Sequence, residues 1–410
     1  MDSPTKHAPL TLARRMELLG SSREVTEILK LAERPDVISL AGGLPDPAVF
    51  PLERVRESQE RVLREEGASA LNYGPNPGFT RLREWIAERM EAKERVSVGV
   101  ENVLVTSGGI EALHLVSMAV LDPGDTVLVE APTYLAALHV FRSQEARIAS
   151  VATDASGLVP ESLRETVRDL AKEGIRPRFL YVIPSFQNPS GATWSRDRRR
   201  EVVEICDEAS IPIVEDHAYA ELCYEGDREP SLKSMAPGNV VFLHTFSKIF
   251  APGARLGWAA ADSDLIEKLG LAKLGTDQCA NTLTQRLVYD YGRHGYIDDQ
   301  VKTSIELYRR KRDRMEAAMR RHFPPETKWV HPLGGFFVWV DLPEGPKGID
   351  TEALLPLAIE REKTAFVAGP PFFADRSGKN FMRLAFSFVP EDRIEEAIER
   401  LARAIRALQS

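Results

Sequence analysis

A lysine stands at position 248 inside VVFLHTFSKIFAPGARLGW (240–258), after an apolar run and a small polar cluster, with an arginine seven residues on at 255. The apolar run Val240, Val241, Phe242 and Leu243 has no structural use for an ammonium at its end. Burial pushes a lysine toward its neutral, nucleophilic form, and a neutral lysine condenses with aldehydes to a Schiff base. Spacing alone favours a surface lysine that follows a core strand. The rest of the chain has to decide between the two.

Other residue clusters suit an anion and a flat ring. VLVTSGGIEALHLVSMAVLDPGD (103–125) reads as a strand, a glycine turn and a helix. The free N–H groups at the start of that helix, around Ser107, Gly108, Gly109 and Ile110, favour a phosphate. Arg255 has a planar fork suited to phosphate oxygens, and Thr245 and Ser247 add hydroxyls. GxGxxG and GxxxxGK[ST] are both absent here, so this is not a dinucleotide or Walker motif. Tyr134, in EAPTY, can stack on a ring. Asp216 ends the apolar run IPIVED and needs a cation or donors there; a protonated ring nitrogen serves, as does a helix cap or an internal ion pair. Asn188 and Tyr219 can each donate to a ring oxygen. Taken together, an imine-forming lysine, a carboxylate, a stacking aromatic, two ring-oxygen donors and a phosphate cup are what pyridoxal 5′-phosphate requires.

These residues must be brought together by a fold. Between residues 100 and 260, short β-branched runs (103–106, 126–130, 146–151, 179–183, 211–215, 240–243 and 257–261) alternate with amphipathic helical patterns at 111–120, 162–172 and 196–209. Strands without polar alternation, separated by helices, predict an α/β domain built on a mostly parallel seven-stranded sheet covered on both faces. Ligands of such sheets bind beyond the carboxyl ends of the strands, where polar, aromatic or glycine-rich clusters fall at 107–109, 131–134, 184–188, 216–219 and 245–248. After residue 300 come a long charged helix (298–322), strand-like segments at 336–342, 364–368 and 381–386, and helices at 351–363 and 390–408. This predicts a smaller α+β domain, joined by an N-terminal segment with a helix at 24–31 and a strand into a turn at 37–45. The expected division is 1–47, 48–300 and 301–410.

The segments ISLAGGLPDPAVFP (38–51), LNYGPNPGFTRLRE (71–84), EAPTYLAALHVF (130–141), YVIPSFQNPSG (181–191), VEDHAYAEL (214–222), TFSKIFAPGARLGW (245–258), PLGGFFVW (332–339) and MRLAFSFV (382–389) run in one order across almost the whole chain. In them the sequence resembles the fold-type I pyridoxal-phosphate aminotransferases of class I/II, most of all the branch of 2-aminoadipate and kynurenine aminotransferases. The resemblance implies that Lys248 holds the coenzyme, Asp216 pairs with its ring nitrogen, Asn188 and Tyr219 bind its ring oxygen, and Tyr134 stacks on it. It implies a phosphate site of Ser107, Gly108, the N–H groups of Gly109 and Ile110, Thr245, Ser247 and Arg255, with Tyr73 reaching in from the neighbouring subunit of a homodimer. Arg383 would grip the substrate α-carboxylate, aided by Asn188 and the Gly43 backbone. Three departures stand out. Gly109-Ile110 replaces a Ser-Gln pair common in relatives, removing two phosphate donors. His217 stands where relatives usually carry a second Asp. The arginine by which some relatives read acidic side chains falls at Thr26 here, with Arg23 one turn earlier on the same face.

The implied reaction is transfer of an amino group from an L-amino acid (2-aminoadipate, glutamate, aromatic or branched-chain) to a 2-oxo acid such as 2-oxoglutarate. β-Elimination, racemisation and decarboxylation on the same fold use the same coenzyme residues and stay open. An aminotransferase-like regulator is disfavoured, because only some forty residues precede AGGLP. In the 410 residues, 43% hydrophobic and 28% charged, a formal net charge of −8 argues against nucleic acid or an anionic membrane as partner. Three scattered cysteines have no metal-ligand spacing and read as reduced thiols of a cytoplasmic protein. No apolar stretch reaches about 20 residues, so no membrane span is expected.

Overall fold

The computed structural model describes residues 10–19, 34–343 and 349–409. The expected helix at 24–31 and Arg23 lie outside them. The strands in chain order are β1 (Ile38–Ser39), β2 (Val103–Thr106), β3 (Thr126–Ala131), β4 (Arg147–Asp154), β5 (Gly157–Leu158), β6 (Leu180–Val182), β7 (Ile213–Asp216), β8 (Val240–Thr245), β9 (Gly257–Ala260), β10 (Lys328–Trp329), β11 (Phe337–Asp341), β12 (Thr364–Ala365), β13 (Val367–Ala368) and β14 (Phe381–Ala385).

The large sheet has the order β2-β9-β8-β7-β6-β3-β4-β5. All seven expected strands are in it, within a few residues of their expected ends. The eighth, β5, is an addition: two residues that fold back antiparallel on the end of β4, too short to leave a periodic signal. From β4 through β3, β6 and β7 to β8 the pairs are parallel, whereas β9 runs antiparallel to both β2 and β8.

The absence of polar alternation has the expected cause. Leu104, Val127, Val129, Tyr181, Val214, Leu243 and Ala259 pack on one face under the helices Gly109–Val120 and Leu135–Ser143. Their odd-even neighbours pack on the other face in two further clusters: Val103, Val105, Phe242 and Trp258, and Leu128, Leu180, Val182 and Ile213. Both faces are buried, so both parities are apolar.

The C-terminal part builds a separate antiparallel sheet, β10-β11-β14-β13, backed by the helices Tyr296–His322 and Ile394–Gln409. The run at 364–368, expected as one strand, is two. β12 pairs in parallel with β1, while β13 pairs with β14; the chain leaves one ladder for the other at the fully buried Phe366. Helix 351–363 stops earlier than expected, at Glu360, and Lys363 takes a left-handed φ of 54° just before β12. β1 and β12 form a two-stranded sheet of their own, and the segment after β1 lies against β14, with Leu40 O accepting from Ala385 N.

Candidate active site

The carboxyl ends of β3, β6, β7 and β8 face β14 of the smaller sheet across a cavity of about 750 Å³. Tyr134, Asn188, Tyr219, Lys248, Phe337, Arg383 and the 41–44 segment are among its walls. Chain segments separated by up to 342 positions meet here, as in the bond from Arg383 to Ala41.

Lys248 follows β8, and its Nζ donates to the Gly43 carbonyl at 2.8 Å. The ammonium lies 5.6 Å from the Tyr219 ring centre and 5.4 Å from that of Phe336. Burial, reinforced by the positive charges of Arg383 and Arg255, lowers its pKa to about 8. A substantial neutral fraction of the amine is therefore present near neutral pH, as a nucleophile requires. Gly43 has no side chain for a plain reason: a Cβ would sit 2.6 Å from Phe337 Cζ.

Arg383 projects from β14 and is only 6% exposed. Its Nη1 donates to Asn188 Oδ1 at 2.9 Å and its Nη2 to the Ala41 carbonyl at 2.8 Å, while Nε has no partner. The guanidinium lies over Phe337 and Phe372, 4.2 and 5.1 Å from their centres. Among the described residues no carboxylate neutralises it, and burial lowers its pKa to about 10. A buried, unpaired cation with an orphan donor is built for an anion that arrives from outside. The Asn188 amide is oriented by the same contact, because Arg383 takes its oxygen and leaves its nitrogen as a donor.

Asp216 ends β7. Tyr181 donates to its Oδ2 at 2.8 Å and the Ala218 N–H to its Oδ1 at 3.2 Å. Burial raises its pKa despite these donors, and among the described residues no cation bonds the carboxylate. The Tyr134 phenol, between Asp216 and Arg383, is likewise raised, by burial first and then by the Asp216 charge.

The glycine turn at 107–110 lies beside the end of β8. Gly108 has φ +98°, and a Cβ there would stand 2.8 Å from Arg255 Nη2. Gly257, between β2 and β8, would bring a Cβ within 2.8 Å of Gly109 N, so glycine alone lets the turn close on the sheet. The exposed Arg255 contacts the carbonyls of Pro252 and Ser107. Thr245 Oγ1 bonds Ser247 Oγ at 2.9 Å. The turn thus presents the Gly109–Val120 helix N-terminus, two hydroxyls and a guanidinium together, which can hold a phosphate. The Ser107 hydroxyl, however, is turned toward Asp277, whose carboxylate also binds the buried Lys273. Glu111 joins this cluster through Lys273 and Thr276, both at 3.0 Å. Nothing in the local sequence marks that brace, since residues 273–277 lie far along the chain.

Tyr73 is 87% exposed and stands apart from these groups in the single chain. His217 is fully buried on the sheet face opposite Asp216. Its Nε2 is 3.2 Å from Glu94 and its Nδ1 3.5 Å from Glu215. Burial opposes the charge, yet the two carboxylates raise the His217 pKa to about 9. Arg228 also pairs with Glu94, and Arg89 with Glu221 and, at 3.0 Å, Asp298. Residue types near position 217 give no hint of this network, which depends on Glu94 arriving at the end of the helix Thr80–Glu94. Among the described residues no group of His, Cys, Asp or Glu could hold a metal ion, and no helix is long and apolar enough to cross a membrane.

The family model for aminotransferase class I and II matches residues 35–401. An aromatic-amino-acid aminotransferase of Thermococcus litoralis is 43% identical over 384 residues, covering 93% of this chain and 91% of that one. A solved kynurenine aminotransferase of Pyrococcus horikoshii superposes with TM-score 0.90 at 40% identity over 94% of this chain and 95% of its own. The α-aminoadipate aminotransferase LysN of Thermus thermophilus, solved with N-(5′-phosphopyridoxyl)-L-leucine, gives TM-score 0.88 at 37% identity over 97% of each. Pyridoxal 5′-phosphate fits the present site by chemistry: a nucleophilic amine for its aldehyde, an uncompensated carboxylate for its ring nitrogen and a helix N-terminus with Arg255 for its phosphate.

Proposed function

The chain belongs to the aminotransferase class I and II family and is a pyridoxal-phosphate-dependent transaminase; from that premise we propose which residues do the work and on what. Lys248 is the amine that carries the coenzyme. Asp216 holds the ring nitrogen in its protonated form, Asn188 and Tyr219 donate to the ring oxygen, and Tyr134 stacks on the ring. Gly108, Gly109, Ile110, Thr245, Ser247 and Arg255 form the phosphate site, with Ser107 shaping the turn. Bound coenzyme supplies an electron sink for the pair left at Cα when its proton departs.

Arg383 binds the substrate α-carboxylate through the donors it does not spend on Asn188 and Ala41. That grip aims the Cα–H bond and is worth more as orientation than as affinity. The Lys248 amine would act as the base that takes the substrate Cα proton and, once protonated, as the acid that gives it back. Its pKa of about 8 is matched to both tasks. The observation that carries this reading is the pair formed by a neutralisable lysine and a buried arginine without a carboxylate partner among the described residues, both lining one cavity.

We take the amino donor from a broad class of large L-amino acids, 2-aminoadipate, glutamate, aromatic and branched-chain, with 2-oxoglutarate as acceptor. Relatives named for aromatic amino acids, 2-aminoadipate and kynurenine support that range, as does the apolar wall of Val37, Ile38, Phe337 and Val389. The same reading has a cytoplasmic homodimer, with residues 48–300 as coenzyme domain and 1–47 with 301–410 as the smaller domain. Exposed Leu71 and Tyr73, 73% and 87%, support a covered surface there. The test is a panel of amino acids offered to loaded enzyme without acceptor. Release of one equivalent of the matching 2-oxo acid per site is expected; ammonia, carbon dioxide or the D-amino acid instead would assign elimination, decarboxylation or racemisation.

A further inference from the structure

Tyr181 has no part in the roles assigned above, yet its phenol makes the shortest contact to the Asp216 carboxylate. The hydroxyl donates to Oδ2 at 2.8 Å. Tyr181 lies on β6, where the register pairs it with Val214, two residues before Asp216 on the neighbouring strand and on the same face. The ring therefore leans along the sheet to reach the carboxylate. Phe141 packs against it edge-on, 5.6 Å between centres at 72°, and Tyr181 is fully buried.

A phenol in an apolar layer has to find an acceptor, and a backbone carbonyl would have met that need. The acceptor is instead Asp216, the carboxylate assigned above to the coenzyme's ring nitrogen. A bond to an ionised acceptor is about twice as strong as one to a neutral acceptor, so the phenol favours the carboxylate over the carboxylic acid. Burial acts in the other direction. The donors from Tyr181 on Oδ2 and Ala218 on Oδ1 also fix the plane of the group, leaving its remaining lone pairs for the cavity. The other charged or titratable neighbours of Asp216 do not replace this contact: Glu215 and His217 lie on the opposite sheet face, and Tyr134 and Lys248 make no hydrogen bond to it.

We propose that Tyr181 is a positioning residue for the reaction: its phenol holds Asp216 as an oriented carboxylate and thereby keeps the coenzyme's ring nitrogen protonated. The inference rests on the role given to Asp216 above. Removing the phenol leaves a buried carboxylate with one donor, which drifts toward the neutral acid and pairs poorly with a pyridinium.

The experiment compares wild type, Tyr181→Phe and Phe141→Leu, each loaded with coenzyme labelled with ¹⁵N in the ring. Tyr181→Phe removes one oxygen and keeps the packing; Phe141→Leu loosens the packing and keeps the phenol. For Tyr181→Phe the ring-nitrogen resonance should move toward the unprotonated position. The coenzyme Kd should rise roughly ten- to hundredfold, the range for losing a hydrogen bond to a charged group, and kcat should fall with KM little changed. Phe141→Leu should leave the ¹⁵N position at the wild-type value. Combined with Asp216→Asn, Tyr181→Phe should add little further loss. A wild-type ¹⁵N position and affinity in Tyr181→Phe, or an equal shift in Phe141→Leu, would overturn the proposal. Failure of wild-type protein to take up coenzyme at Lys248 would instead overturn the site assignment beneath it.

Discussion

Arg383→Met separates function from stability in a way few buried arginines allow. Burial draws the guanidinium from its ordinary value of 12.5 to about 10. At about 1.4 kcal/mol per unit, the charged form is disfavoured by about 3 kcal/mol in the folded protein. Methionine relieves that cost and keeps the stem packed over Phe337 and Phe372. It also deprives Asn188 Oδ1 and the Ala41 carbonyl of a donor, at about 1–3 kcal/mol each, the lower end applying where water in the coenzyme-free cavity that both residues line takes over as donor. The coenzyme-free variant should therefore match wild type or exceed it by about 1 kcal/mol, visible as an apparent Tm unchanged or a degree or two higher. An arginine in a buried ion pair would behave otherwise, since breaking such a pair costs about 3–5 kcal/mol. Turnover should move far in the opposite direction. Losing two charge-assisted bonds to the α-carboxylate, about 1.5–3 kcal/mol each, lowers kcat/KM roughly 10²- to 10⁴-fold. The factor should be similar for every amino donor, because the carboxylate is common to all. Differential scanning calorimetry of the coenzyme-free protein and steady-state kinetics with three unlike donors read the two effects. A Tm lowered by several degrees would make Arg383 a structural residue, and an unchanged kcat/KM would move the carboxylate site elsewhere.

Further outcomes follow from the same geometry. Lys248→Ala should abolish labelling by borohydride of coenzyme-saturated protein, whereas the wild-type digest should yield one modified peptide spanning position 248. The rate at which coenzyme-free enzyme takes up the aldehyde should climb about tenfold per pH unit below pH 8 and level off above it, because the lowered Lys248 pKa sets the neutral fraction; a flat profile in stopped-flow absorbance would contradict that. His217 has its pKa raised above the ordinary 6.5, to about 9, so its contribution to stability is complete below pH 6.5 and is lost as pH rises through 9. Urea midpoints of His217→Phe should accordingly lie furthest below wild type at pH 6 and converge on it by pH 10. Sedimentation should give a dimer, and Tyr73→Ala should weaken coenzyme retention without changing the Lys248 peptide label.

The sheet was legible because burial on both faces removes polar alternation, and every strand of four residues or more left that mark. β5 was too short to leave one. The split of 364–368 between β12 and β13 was hidden because both halves are equally apolar, and only pairing with β1 on one side and β14 on the other divides them. In the site, Lys248, Asp216 and Arg255 could be read because each breaks an apolar run at a strand end, where a charge needs a reason. Tyr181 escaped notice for the converse reason, since an aromatic in a core strand is ordinary packing until its hydroxyl finds a partner. The chemistry of single positions was therefore contained in the sequence: an amine, a carboxylate and a glycine turn, in an order that names a coenzyme. Which of them touch was settled by tertiary structure. Arg383 reaches Asn188 across 195 positions and Lys248 reaches Gly43 across 205, while the His217 pKa is raised because Glu94 comes to it from the helix Thr80–Glu94. Local runs encode burial and dihedral preference; partners that far apart are chosen only when the two sheets close on each other.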